Sequence, residues 1–167
     1  ENPRGTLMTR KARDSVSRSL GWFLVAVMAA AVLNVLWQVF TRFVLRHPSS
    51  WTEELSRYLL IWIGLLGASY ASGRKMHLAI DIVLQKIKGR TRNLAEIAIQ
   101  AFIFFFALVA MVIGGIRLVT LTLVLNQVSA ALRLKLGYVY LVLPLSGLVI
   151  MYFALDIFLE KARGKRG

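Results

Sequence analysis

From Ser19 to Thr41 the chain reads SLGWFLVAVMAAAVLNVLWQVFT, an apolar run without a single charge. A helix rises about 1.5 Å per residue, so a hydrocarbon core of roughly 30 Å needs about 20 such residues. Lipid cannot hydrogen-bond free backbone groups, and the run lacks the period-two alternation of a barrel strand. The stretch therefore reads as a membrane-spanning helix. Three more charge-free windows follow, from Tyr58 to Gly73, from Ile97 to Ile116 and from Leu136 to Leu155. The fold class expected is an all-α membrane protein of four transmembrane helices.

Composition agrees. The 167 residues are 57% hydrophobic, above the roughly 45–50% of soluble domains, and the excess sits in the long runs. Cysteine is absent from the sequence, which removes disulfides, thiolate nucleophiles and Cys-ligated metals. The formal charge of +13 would suggest nucleic acid in a soluble chain. Here the basic residues flank apolar runs, where anionic lipid head groups attract them. No nucleic-acid partner is expected, and membrane lipids are. Met8 followed by Thr9-Arg10-Lys11 reads as a natural start, with Glu1 to Leu7 as a remnant ahead of it.

The second window is short, and its flank compensates. Ser50 and Glu53 have the spacing of a capping box, and Glu53 and Glu54 sit where a helix dipole favours negative charge. Arg57 follows at helical spacing, so Glu53, Glu54 and Arg57 are expected to form a structural ion-pair group. The helix begins near Trp51 in the head-group layer and enters lipid after Arg57. Between windows two and three, Met76, Ile80, Val83, Leu84 and Ile87 make an apolar stripe, with His77, Asp81, Gln85 and Lys88 on another face. That pattern predicts a short interfacial amphipathic helix over about 76–88, or else a helix packed on the ends of the spans. His77 invites a metal or proton-relay role, against the commoner reading of a local hydrogen bond with Asp81.

Fifteen Lys and Arg residues lie in the two tails and the middle connection, against six in the other two connections. The positive-inside rule then gives an N-in/C-in topology. The expected organisation is a cytoplasmic basic tail over 1–18, a membrane domain over 19–160 and a second basic tail over 161–167. Its spans cover about 19–44, 53–73, 94–119 and 136–159. The mixed stretch from Thr120 to Lys135 is placed at the outer interface, with its conformation open.

Asn34, Gln38 and Arg42 step by four along one face of the first span, where amides usually bond a neighbouring helix. Gly64, Gly67 and Ala68 suggest a close-packing face on the second. Gly114-Gly115 and Pro144 are expected to loosen their helices. A charge at a span centre costs roughly 2.5–3.5 kcal/mol on insertion scales, so one kept there usually serves function. None of the four windows holds one. His47 and His77 lie outside them, which disfavours a haem anchor. No catalytic, cofactor-binding or metal residue is assigned, no cofactor is expected, and the chain reads as a non-enzyme that does not transport alone. The alternative is a stand-alone four-helix homodimeric exporter.

The block Trp51-Thr52-Glu53-Glu54-Leu55-Ser56-Arg57-Tyr58, preceded by Phe40-Thr41-Arg42-Phe43, resembles the small membrane subunit of tripartite ATP-independent periplasmic (TRAP) transporters. Trp62, Gly67-Ala68, His77 and Ile80-Asp81 continue the likeness. A later segment, Ser129-Ala130-Ala131-Leu132-Arg133-Leu134 with Tyr138, Tyr140 and Pro144, is similar too. Prolines common in the family near positions 130 and 135 are replaced here by Ala130 and Lys135. The resemblance implies a scaffold subunit in the bacterial inner membrane that supports a larger, elevator-type membrane subunit. It further implies sodium-coupled import of an organic acid, such as sialic acid or a C4-dicarboxylate, delivered by a periplasmic binding protein. Arg46, His47 and Trp51 would then be candidates for docking that protein.

Overall fold

The computed structural model describes residues 3–47, 49–73 and 90–162, with side chains over 13–47, 49–73 and 95–158. The expected interfacial helix, with His77 and Asp81, and the C-terminal basic tail beyond 162 lie outside the described residues. The described chain is helical, with one isolated bridge pair, Val128 and Lys135. Its elements are α1 (Pro3–Phe43), α2 (Ser50–Gly73), α3 (Arg90–Phe106), a π-helical segment (Ala107–Ile113), α4 (Gly114–Val124), α5 (Leu136–Tyr140) and α6 (Val142–Ala162).

Three stretches are long and apolar enough to cross a membrane: Arg13–Phe43, Ala95–Val124 and Leu136–Phe158. α2 is not among them, because Glu53, Glu54 and Arg57 open it and Gly, Ser and Ala lower the hydropathy of its remainder. The third helical stretch also outruns its charge-free window. It continues through Arg117, which is exposed, to Val124. A long guanidinium arm can reach toward the interface from within a helix, so Arg117 does not end it.

The neighbours form an open row. α2 lies between α1 and α6, and α6 packs in turn on α3, the π segment and α4. The α1 side of the first contact is a seam of alternating steps of four and three. Arg13, Ser17, Leu20, Leu24, Val27, Ala31, Asn34, Gln38 and Thr41 are buried or half-buried, and nearly all between them are exposed. This is the seven-residue repeat of knobs-into-holes packing, which keeps one stripe of a long helix against its neighbour. The rest of α1 is uncovered: Trp22 is 71% and Leu33 67% exposed.

Between α2 and α6 the packing depends on small residues. Ser69 donates to the Leu65 carbonyl at 2.9 Å and the Ser146 carbonyl at 3.1 Å, joining two fully buried serines on facing helices. A Cβ on Gly73 would stand 2.6 Å from the buried Phe153 ring. On the far side of α6, a Cβ on Gly147 would meet Met111 Cβ at 2.8 Å, and one on Gly115 would meet Pro144 Cδ at 2.9 Å. The two irregular features of the sequence thus touch: the Gly114-Gly115 pair closes the π segment and Gly115 abuts Pro144. Pro144 has no N–H to offer one turn back, and the helix breaks at Leu141 between α5 and α6.

Candidate functional site

At one end of the row the turn after α1, the start of α2 and the connection after α4 meet. α1 finishes at Phe43. Arg46 takes a left-handed φ of 52°, and the His47 N–H folds back to the Thr41 carbonyl at 3.2 Å. Ser49 then precedes α2. Its hydroxyl and that of Thr52 are 2.6 Å apart, and Thr52 donates to the Ser49 carbonyl at 2.7 Å. These two contacts tie Thr52 to Ser49 at the turn into α2, beside Ser50 and Glu53.

Asn34 reaches across from α1. Its amide donates to the Thr52 carbonyl and to Ser56 Oγ, both at 2.7 Å, and it is 8% exposed. The residue expected to join helices does so, within this chain. Gln38, one turn on, instead lines a cavity with Arg42, Ser49, Ser50 and Glu53.

The stretch after α4 is a tight hairpin. Asn126 and Arg133 have φ of 46° and 52°, Ser129 N–H donates to the Leu134 carbonyl at 2.9 Å, and Leu136 N–H to Gln127 at 3.0 Å. Asparagine tolerates this left-handed region better than most residues, arginine less so. The hairpin tip presents two free N–H groups, from Ala131 and Leu132. Both donate to Glu54 Oε2, at 2.8 and 2.9 Å, and Tyr58 donates to Oε1 at 2.6 Å. Glu54 stands one turn into α2, ahead of the charge-free window that opens at Tyr58. These three donors fix the ionised carboxylate between α2 and the hairpin. Ser129, 5% exposed, is buried at the same junction, with its hydroxyl close to Glu54 and Tyr58.

The ion-pair group expected of Glu53, Glu54 and Arg57 does not assemble. Glu54 is engaged by the hairpin, Glu53 and Arg57 are exposed, and no ion pair links Arg57 to either carboxylate. Three well-placed neutral donors compete better for a carboxylate than one solvated arginine on the same surface. Arg46, His47 and Trp51 are all exposed around the turn. A Cβ on Gly64 or Gly67 would meet nothing within 4 Å, and Ala68 is exposed, so among the described residues nothing packs closely on their face of α2. The glycines in close contact are instead Gly73, Gly115, Gly137 and Gly147. The indole N–H of Trp62, a residue of the family-like block, donates to the Val139 carbonyl at 3.1 Å and ties α2 to α5.

Among the described residues no three His, Asp or Glu side chains gather as a metal site. The opposite end of the row carries the Arg13–Asp156 ion pair at 3.6 Å, with a second polar cavity lined by Arg13, Asp14, Ser17, Arg18 and Gly73.

Residues 31–164 match the family model described as tripartite ATP-independent periplasmic transporters, DctQ component. The chain is 31% identical over 154 residues to the isethionate TRAP transporter permease protein DctMQ of Oleidesulfovibrio alaskensis, covering 83% of this chain and 24% of that one. It is 33% identical over 85 residues to the sialic acid TRAP transporter small permease protein SiaQ of Vibrio cholerae, with 51% of this chain and 47% of that one aligned. A third relative is the sialic acid TRAP transporter permease protein SiaT of Haemophilus influenzae, 26% identical over 84 residues, or 50% of this chain and 13% of that one. The alignments thus span half or less of each of these relatives.

Proposed function

The chain belongs to the TRAP transporter small-subunit family, the DctQ component, and from that premise we propose that it is the static scaffold of such a transporter. In this reading it holds a larger elevator-type membrane subunit, which carries the solute and the sodium ions that drive import. The cargo is an organic acid anion such as sialic acid or a C4-dicarboxylate, delivered by a periplasmic binding protein across the bacterial inner membrane. The names of the relatives support an organic anion: isethionate for one, sialic acid for two.

The observation that carries the proposal is the open row. Among the described residues four long helical stretches lie side by side, each packed on the next, and large apolar side chains cover their outer faces. Such faces need lipid or protein against them. Two relatives are far longer than the aligned region, which supports a large permease as the protein that covers one face. α2 is proposed as the fourth span. At 24 residues it is about 36 Å long, and it runs between two helices that are themselves long and apolar enough to cross. The charge count supports both tails in the cytoplasm, which puts the α1–α2 turn and the hairpin in the periplasm.

Affinity purification tests the assembly. The chain, expressed with its neighbouring genes, should bring down a membrane protein several times its size. A bare homodimer under the same conditions would favour an exporter instead. Arg46, His47 and Trp51, exposed at the proposed periplasmic end, are the proposed docking residues for the binding protein. Alanine at all three should weaken docking, and unchanged docking would remove them from that role.

A further inference from the structure

The cavity between the end of α1 and the start of α2 has a volume of about 270 Å³ and is lined by Gln38, Arg42, Ser49, Ser50 and Glu53. This is slightly below the roughly 300–1,000 Å³ of drug-sized ligand sites, a size that suits a head group and not a whole lipid. Its two charged walls have opposite signs and yet do not pair. No contact of 4.0 Å or less joins Arg42 to Glu53, and neither side chain has a hydrogen-bond partner among the described residues. The guanidinium presents five donors suited to a phosphate oxygen pair, and the carboxylate presents only acceptors. Gln38 adds an amide on the Arg42 side, one turn away on the same helix face.

The depth is that of lipid head groups. Arg42 is the first residue after the charge-free run of α1, and Glu53 lies one turn ahead of Arg57, where α2 enters its apolar stretch. Trp51, 42% exposed, stands between them in sequence as an interfacial ring. We propose that this cavity binds one zwitterionic phosphoethanolamine head group, with the phosphodiester on Arg42 and the primary ammonium on Glu53. A purely anionic head group satisfies Arg42 and is opposed by Glu53, so the site selects for a ligand carrying both charges. The proposal rests on the membrane placement of α1 and α2 given above.

The test uses the full chain, purified with any large membrane protein that accompanies it and then delipidated in detergent. Native mass spectrometry follows titration with short-chain phosphatidylethanolamine, short-chain phosphatidylglycerol and soluble glycerophosphoethanolamine. The wild type should hold one phosphatidylethanolamine per chain, preferred roughly tenfold over phosphatidylglycerol, as befits one charge-assisted contact. Glu53→Gln should abolish that preference while both lipids still bind, and Arg42→Gln should weaken both. Equal wild-type binding of the two lipids, or an unchanged preference in Glu53→Gln, would overturn the proposal. Glycerophosphoethanolamine bound as tightly as the lipid would overturn the assignment to a membrane lipid. A protein segment cross-linked to Arg42→Cys in place of lipid would overturn it as well. If a variant fails to fold, the wild-type ratio still decides. Failure of the scaffold reading appears separately, as the lack of a large co-purifying subunit.

Discussion

Glu54 joins two parts of the chain that lie 77 positions apart, the N-terminal part of α2 and the tip of the hairpin at Ala131. Two backbone N–H groups and a phenol converge on one carboxylate, which leaves no hydrogen on that side for the neutral acid. An amide in its place would turn N–H hydrogens toward those same donors. Glu54→Gln should therefore lower the thermal stability of the detergent-solubilised chain at pH 7. Unchanged stability would show that the carboxylate is not what holds the hairpin. None of this was legible from spacing. The rule that pairs residues three or four apart pointed Glu54 at Arg57, because sequence displays local neighbours and hides a donor pair that only the hairpin creates. Asn34 was legible, since an amide inside an apolar run has few ways to be satisfied other than across a helix contact.

At the scale of the element, charge-free runs located the long helices because a bilayer tolerates little else there. They did not mark helix ends: the stretch beginning at Arg90 ignores Arg117 and runs on to Val124. Gly114-Gly115 and Pro144 were readable as irregularities, but their mutual contact was not, since each was judged against its own helix. Glycine shows the same division. Gly147 and Gly64 look alike in sequence, yet a Cβ at the first would stand 2.8 Å from Met111 and at the second would meet nothing within 4 Å. Gly147→Leu should destabilise the isolated chain by about 1–3 kcal/mol, the usual cost of overpacking, as read from denaturation in detergent. Gly64→Leu should leave that stability unchanged and reduce the yield of complex with the large subunit. Equal effects of both changes on the isolated chain would contradict the packing described for α2.

At the scale of the molecule, the described helices form a row in which each touches the next and the broad faces are apolar and exposed. Its polar contacts (Asn34 to α2, Ser69 to Ser146, Trp62 to Val139, Glu54 to the hairpin) fix the helices to one another and leave those faces unchanged. Hydrogen-bonded internal joints with exposed apolar outer surfaces suit a part that holds another protein in place. The charge-free windows fit the same role, since no ionised group stands within them to accept or release a coupling ion. The direct measurement is sodium-driven uptake of organic acids in proteoliposomes. Vesicles holding this chain alone should show none, and vesicles holding it with its large membrane partner and binding protein should accumulate solute. Sodium-dependent accumulation by the chain alone would contradict the account.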